Sequence, residues 1–342
     1  MIASVTLLTG CSGESPNTSN ESSSEKQRVT LYTSVDDVFA KMVVESFENE
    51  TGITVDVLGD TEATKTTGLV TRLQSEKADP TADVWWASEP MGTMLLTADG
   101  IFEPGAMEGT VDSDWPTALR SPDWSWVATA TRSRVIVYAP KRVDTPPTTM
   151  AELAQPQYKG RIGIARPQFG TTRIHMSLLA SSWGMEAFEA WLVALEANGV
   201  RLYDGNATVV RAVAMGEIDV GLTDTDDVWA GQENGWDVDL KLETRADHPQ
   251  WPNLGETRIP NTVAIVRDAP NPDLAKQLAA YLTSAAVERL LYESTSRNTP
   301  VDGPLREELG IEPLDTDSLP DYAGAAALVG QAMDACERVL GP

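Results

Sequence analysis

Apolar and polar positions along the chain alternate between a spacing of two residues and a spacing of three to four. Residues 29–34 and 53–58 are short β-prone runs, and Gly52 is placed to end a helix between them. That helix is indicated by four apolar residues at helical spacing: Phe39, Met42, Val43 and Phe47. The same alternation returns over residues 67–99, with a helix, an apolar strand and a second helix. Strands that alternate with helices favour a parallel or mixed sheet covered on both faces.

A second series of elements follows an irregular segment at 111–126 that is rich in tryptophan. The predicted strands lie at 134–139, 161–165, 200–203, 219–223 and 262–266. The predicted helices lie at 171–182, 186–198, 207–215, 271–283 and 285–293. A last helix is indicated by six apolar residues spaced three or four apart: Tyr322, Ala326, Val329, Met333, Cys336 and Leu340. The thiol of Cys336 lies on this apolar stripe, so we expect it to be buried and unreactive.

Length and composition narrow the classes of function. A chain of 342 residues is long enough for two domains. Its 26 basic and 51 acidic residues give a net charge of −25, which would repel a nucleic acid, so we expect no nucleic-acid partner. Two distant cysteines, Cys11 and Cys336, and two histidines cannot form a Cys/His zinc site. Any bound metal must be held mainly by oxygen atoms.

The N-terminus has the features of a targeting segment. Residues 2–9 form an apolar run that is too short to span a bilayer and ends at Gly10 and Cys11. The sequence Leu-Thr-Gly-Cys resembles a bacterial lipobox, in which the cysteine is acylated after cleavage of the signal. Residues 12–27 are mostly serine, glutamate and asparagine, which is typical of a flexible tether. We therefore predict a signal peptide and lipobox at 1–11, a disordered tether at 12–27, and a lipoprotein anchored through Cys11.

Five motifs occur in an order that resembles a known family. They are VTLYTS at 29–34, ADVWWASE at 82–89, GRIGIARPQFGTT at 160–172, AVAMGEIDVGLTDTDD at 212–227 and IPNTVAIV at 259–266. Together they resemble the ferric-iron-binding, transferrin-like family of ABC-transporter periplasmic substrate-binding proteins. The resemblance implies a two-lobed α/β periplasmic-binding-protein type II fold, in which each lobe is a mixed sheet flanked by helices. It also implies a monomer without enzymatic activity that delivers its ligand to an ABC permease and its ATPase.

The resemblance also implies where the lobes and the ligand lie. Lobe one is expected at 28–130 plus 257–298 and lobe two at 131–256, with the ligand in the cleft between them. The C-terminal tail, 299–342, is expected to be helical and to pack on lobe two.

The family's metal ligands fall on carboxylates in this chain. Its histidine or acid after the first strand corresponds to Asp36, and its glutamate after the strand of ADVWWASE corresponds to Glu89. Its tyrosine pair is replaced by Asp226 and Asp227, so phenolate chemistry is absent. Carboxylate oxygens suit a hard cation such as Fe³⁺, Ca²⁺ or Mn²⁺. The residues leave an alternative open, because aspartates at a helix start, including Asp36, also act as ordinary N-caps.

A second group of residues indicates anion or ligand binding. Gly170, Thr171 and Thr172 begin one predicted helix and Asn206 begins another, so unpaired N–H groups would face an anion there. The resemblance implies a synergistic anion, such as carbonate or phosphate, at loops of this kind. Further candidates for contact with the ligand are Ser34, Lys65, Trp86, Arg132, Asp224 and Thr225. The alternative for these residues is a purely structural role, as ordinary helix caps or as members of ion pairs within the protein.

The sequence favours a binding protein over an enzyme. It contains no Gly-x-Ser-x-Gly, His-Glu-x-x-His or Gly-x-Gly-x-x-Gly motif and no P-loop. A hydrolase that uses a carboxylate pair, and a surface protein that binds another protein, remain as remote alternatives. Within the transport role the ligand stays open between a ferric or other hard cation and a small organic or phosphorylated solute.

Overall fold

The computed structural model describes residues 27–60, 67–244, 247–252 and 254–341, together with Met1. Its strands are β1 (Arg28–Thr33), β2 (Thr54–Gly59), β3 (Val84–Ala87), β4 (Trp126–Tyr138), β5 (Ile162–Ala165), β6 (Arg201–Tyr203), β7 (Val220–Asp224), β8 (Asp239–Leu242) and β9 (Arg258–Ile265). Its helices are α1 (Asp37–Thr51), α2 (Thr67–Ser75), α3 (Pro90–Ala98), α4 (Met150–Leu153), α5 (Gly170–Trp183), α6 (Met185–Ala197), α7 (Asn206–Met215), α8 (Thr225–Glu233), α9 (Pro272–Leu282), α10 (Ala285–Glu293), α11 (Gly303–Glu308) and α12 (Tyr322–Leu340). The candidate residues Cys11 and Lys65 lie outside the described residues. In the part of the chain that is described, no helix combines the length and the apolar character needed to span a membrane.

The strands follow one another in the order β2-β1-β3-β9-β4-β7-β5-β6, with β8 paired to β4. In lobe one, β1 is parallel to β2 and β3, and β9 runs antiparallel to β3. In lobe two, β5 is parallel to β6 and β7, and β4 runs antiparallel to β7 and β8. The sheets are therefore mixed, and the predicted two-lobed α/β fold is confirmed.

One long strand, β4, belongs to both lobes. Its first part, up to Ser133, pairs with β9, and its last part, from Arg134, pairs with β7. The sequence predicted a strand only from 134, and it predicted β9 only from 262. In the structure both strands begin earlier than predicted. Polar residues near the crossing are buried together with the apolar ones, and they interrupt the apolar pattern by which a strand is recognised in the sequence.

The crossing between the lobes contains a β-bulge. The register between β4 and β9 shifts between Thr129 and Thr131, which leaves Ala130 outside the ladder. The backbone N–H of Ala130 donates to the Glu288 carboxylate at 2.7 Å, and its carbonyl accepts from the Asn261 side chain at 2.9 Å. Two buried side chains therefore supply the hydrogen bonds that the bulge removes from the sheet.

Tryptophans in β3 fill the core of lobe one on both faces of the sheet. Trp85 and Trp86 are both fully buried, and they belong to different apolar clusters. The Trp85 indole N–H donates to the Thr93 hydroxyl at 2.7 Å. The expectation that Trp86 contacts a ligand in the cleft is therefore wrong, because helices cover both faces of this strand.

The C-terminal helix α12 lies across both lobes. It packs on α5 and α6 of lobe two and also on α3 of lobe one. Near its start, the Tyr322 hydroxyl donates to the Arg258 carbonyl in β9 at 2.8 Å. Near its end, Cys336 is fully buried, and this burial raises the pKa of the thiol to about 12. The thiol is therefore protonated and unreactive at neutral pH.

Candidate functional site

A cleft of about 100 Å³ lies between the lobes, where loops at strand ends and helix starts meet. Lobe one contributes Asp36, which follows β1, and Ser88, which follows β3. Lobe two contributes the starts of α5, α7 and α8, and Arg132 lies where β4 crosses between the lobes. Residues from opposite sides of the molecule therefore face one small polar space.

The carboxylate of Asp224 connects the residues that form the lobe-two side of the cleft. One carboxylate oxygen accepts from Arg134 Nη1 at 2.7 Å. The other accepts from Arg132 Nε at 3.2 Å, Thr171 Oγ1 at 2.6 Å and Asn206 Nδ2 at 3.1 Å. Burial alone would raise the pKa of Asp224, but the charges of Arg134 and Arg132 outweigh it and lower the pKa. Asp224 is thus ionised and held by protein donors, and it lines the cleft. Its contact with a ligand stays a prediction.

Arg132 connects the two walls of the cleft. Its Nη1 donates to the carbonyl of Ser88 in lobe one at 2.6 Å, and its Nε lies 3.7 Å from Asp226 Oδ2 in lobe two. Burial by itself would lower the pKa of Arg132, but the carboxylates of Asp224, Asp226 and Asp36 outweigh it and raise the pKa. The guanidinium is therefore a permanent positive charge among the cleft acids.

The start of α8 brings acids together at the cleft. Oxygen atoms of Asp224, Asp226 and Asp227 lie within 4.8 Å of one another. The Asp227 backbone N–H donates to Asp226 Oδ1 at 3.2 Å, and the Thr223 hydroxyl donates to Asp227 Oδ2 at 3.1 Å. Asp226 and Asp227 occupy the first turn of α8, where the helix dipole favours negative charge. Their position in the first turn is consistent with stabilisation of the start of α8. Their position at the cleft is also consistent with contact to a ligand.

Asp36 faces this acidic group from lobe one. It precedes α1, but among the described residues its side chain makes no capping hydrogen bond to that helix. It lines the same cleft as Asp226 and Asp227. Three of the four predicted metal ligands therefore meet at one place.

The fourth predicted ligand, Glu89, has a different environment. It is buried, and its carboxylate accepts from the backbone N–H of Met91 at 2.5 Å and of Gly92 at 3.0 Å, so it caps α3. Burial raises the pKa of Glu89, against the opposing effect of these donors and of nearby arginines. Glu89 is not among the described residues that line the cleft. Its role as a ligand stays a prediction.

The starts of two helices form the anion-facing part of the cleft. Gly170, with φ of +54°, begins α5, and Asn206 begins α7. The first N–H groups of a helix have no acceptor within it, so they are available to an anion. The side chains, however, bind protein atoms: Thr171 donates to Asp224, and Thr172 donates to Asn206 Oδ1 at 3.2 Å. Backbone groups therefore carry the anion-binding potential here.

Two further candidates lie behind the cleft wall. Ser34 Oγ accepts from the Ser88 backbone N–H at 3.1 Å, and Thr225 Oγ1 accepts from the Ser133 backbone N–H at 3.3 Å. Both are buried and fix loops that line the cleft. They support the site and are not among the described residues that line it.

Two more arginines belong to the site, and sequence reasoning missed one of them, Arg166. Arg134 holds Asp224, and Arg166 lies at the cleft rim beside Asp204 at 3.4 Å. The sequence indicates Arg134 together with Arg132 as a cation near the hinge that could bind a carboxylate, and residues i and i+2 of a strand share a face. Arg166 follows β5 directly, at the strand end where ligands of α/β sheets bind.

Comparisons with known proteins show the family of this chain. A family profile described as bacterial extracellular solute-binding protein matches residues 28–294. Iron uptake protein A1 from Synechocystis is 29% identical over 298 residues, which are 84% of this chain and 80% of that protein.

Solved structures of similar fold cover nearly the whole chain. The Trichodesmium protein IdiA (FutA), in complex with iron and citrate, has a TM-score of 0.73 at 22% identity and covers 91% of this chain and 99% of its own. AfuA from Actinobacillus pleuropneumoniae, with fructose-6-phosphate bound, has a TM-score of 0.74 at 18% identity and covers 92% and 98%. Proteins of the matched family are transport components and not enzymes, contrary to the hydrolase alternative. The chain belongs to the bacterial extracellular solute-binding protein family.

Proposed function

We propose that this protein is the substrate-binding component of an ABC importer that captures a hard metal cation, Fe³⁺ first, and delivers it to the permease and its ATPase. One observation carries the proposal: carboxylates of Asp36 on lobe one and of Asp226 and Asp227 on lobe two line the same cleft. Ligands from both lobes allow a cation to hold the lobes together. Relatives named for iron uptake support the choice of iron.

The donor chemistry fits a hard cation. Carboxylates offer up to two oxygen atoms each, and hard cations prefer such ligands to nitrogen or sulfur. A synergistic anion would complete the coordination from the helix starts at Gly170 and Asn206, where backbone N–H groups and Arg166 line the cleft. Citrate accompanies iron in the Trichodesmium protein of similar fold.

Metal analysis and native mass spectrometry test this function. The protein is to be purified without chelators from cells grown with iron. We expect about one iron atom per chain and an additional mass that matches a small anion. A chain that carries no metal but an organic mass would contradict the proposal and favour the second candidate.

The second candidate is a small phosphorylated organic solute. A specific observation favours it: Arg132, Arg166 and the two helix starts give one side of the cleft a positive character. AfuA, which has a similar fold, binds fructose-6-phosphate. In that case Asp36, Asp226 and Asp227 would accept hydrogen bonds from hydroxyl groups of the solute.

We also propose that the protein is a lipoprotein anchored on the outer side of the cytoplasmic membrane, and a monomer. The lipobox at Cys11 and the polar tether after it support anchoring. Labelled fatty acid should be incorporated into the wild type and not into Cys11→Ala, which should move to the soluble fraction. Equal labelling of both proteins, or none of the wild type expressed from its natural start codon, would contradict the anchor.

A further inference from the structure

Arg132 occupies the position between the carboxylates where a captured cation would be attracted. Only 7% of its side chain is exposed. Its Nε lies 3.2 Å from Asp224 Oδ2 and 3.7 Å from Asp226 Oδ2, and its Nη1 donates to Ser88 at 2.6 Å. Asp36 is close enough to stabilise its charge. The guanidinium therefore contacts acids that the proposed function assigns to the metal site, or their immediate neighbours.

We propose that Arg132 determines specificity by acting as a resident cation that an incoming metal must displace from Asp226, so that divalent cations are rejected. The inference rests on the proposed function, because it assumes that Asp226 takes part in binding the captured cation.

The contacts of Arg132 with Asp224 and with Asp226 differ in how easily a cation could replace the guanidinium. Asp224 has Arg134, Thr171 and Asn206 as further donors, so its environment does not depend on Arg132 alone. Asp226, at 3.7 Å, has the longer contact with the guanidinium. A cation can therefore take Asp226 while Asp224 keeps its position.

Displacement of Arg132 has the same free-energy cost for every metal, whereas attraction to the carboxylates grows with the charge of the metal. A trivalent cation offsets this cost better than a divalent one. An anion that arrives with the trivalent cation also gives the released guanidinium a new acceptor, since arginine binds carboxylates and phosphates with two parallel hydrogen bonds. A hydrated divalent cation without an anion provides no such acceptor.

The test compares Arg132→Gln with the wild type. Glutamine removes the charge and keeps a donor for the Ser88 carbonyl, and Asp224 retains Arg134. Arg338→Gln is the control, because it also removes an arginine charge, its ion pair with Glu189 is exposed, and Arg338 is not among the described residues that line the cleft. Arg132→Lys keeps the charge and serves as a second test if the glutamine variant does not fold cooperatively.

Calorimetry with Mn²⁺ and with ferric nitrilotriacetate gives the readout. We expect Arg132→Gln to bind Mn²⁺ at least about tenfold more tightly than the wild type, and Arg132→Lys and Arg338→Gln to stay within about threefold of it. A tenfold gain in Arg132→Lys would overturn the inference.

The outcomes separate this inference from the proposed function. If the wild type binds ferric iron but Arg132→Gln gains no Mn²⁺ affinity, the inference is overturned and the proposed function stands. If the wild type binds neither metal but Arg132→Gln binds Mn²⁺, the inference is supported and the proposed function fails. If neither protein binds a metal, both are overturned.

Discussion

At the residue scale, the cleft depends on one buried group of charges. Arg132 and Arg134 lie two residues apart in β4, so both side chains leave the same face of the strand and reach Asp224. The sequence identified Arg132 and Asp224 as candidates, because each lies at a strand end or crossing. It could not show that they bind each other, since 92 residues separate them along the chain.

We predict that Asp224→Asn lowers the free energy of unfolding by about 3–5 kcal/mol, because it leaves two buried arginines without their carboxylate. Urea unfolding followed by tryptophan fluorescence measures the change. The matched control is Asp204→Asn, in the ion pair with Arg166, where the aspartate side chain is 89% exposed and the expected change is below about 1 kcal/mol. Similar small losses in both variants would show that the Asp224 carboxylate does not hold the lobe-two side of the cleft together.

At the scale of elements, the sequence at the start of α3 allows two roles for Glu89, as a metal ligand and as a helix cap. Glu89 stands where the resembling family has a metal ligand, but it is followed by Pro90, which favours the first position of a helix. The carboxylate binds the N–H groups of Met91 and Gly92. Local chemistry thus explains Glu89 without a metal.

We predict that Glu89→Gln lowers the free energy of unfolding by about 1 kcal/mol, since an amide oxygen caps the helix less well than a carboxylate. Ligand affinity should fall much less than in Asp226→Asn. Thermal unfolding and calorimetry on both variants measure these two quantities. An equal loss of ligand affinity in the two variants would return Glu89 to the set of metal ligands.

Elements with a clear apolar period were predictable, and elements at the crossing were not. The helix α12 and the strands β1, β3 and β5 were found because each has one dominant pattern of burial. The first half of β4 was missed, because its polar residues, such as Thr129 and Thr131, are buried as well and interrupt the apolar period of the strand. The edge strand β8 was missed because it is mostly exposed and short.

At the scale of the whole molecule, the lobes are connected through a bulge held by Glu288. Its carboxylate accepts the backbone N–H groups of Ala130 at 2.7 Å, Val301 at 3.0 Å and Asp302 at 2.8 Å. Burial raises its pKa to about 7, and these donors and the nearby Asp302 charge modify the shift without reversing it. A group that titrates near neutral pH therefore lies at the crossing between the lobes.

We predict that this group makes stability fall as pH rises. The folded-state pKa of about 7 exceeds the usual 4.5, so the stabilising contribution is complete below about pH 4.5 and is lost as pH rises through about 7. The loss is about 3 kcal/mol, at about 1.4 kcal/mol per pKa unit. Urea unfolding at several pH values should show this slope in the wild type and in the control Glu293→Gln, on the same helix. A wild-type slope that survives in Glu288→Gln would contradict the assignment.

The central claim is that carboxylates from both lobes bind one hard cation, and calorimetry with ferric nitrilotriacetate tests it most directly. We predict that the wild type binds more tightly than about millimolar, and that Asp36→Asn and Asp226→Asn each weaken binding by about tenfold or more. The neighbouring exposed Asp37→Asn should leave affinity unchanged. Binding should weaken as pH falls, because protons compete for the carboxylates. No binding by the wild type, or unchanged affinity in both variants, would contradict the claim.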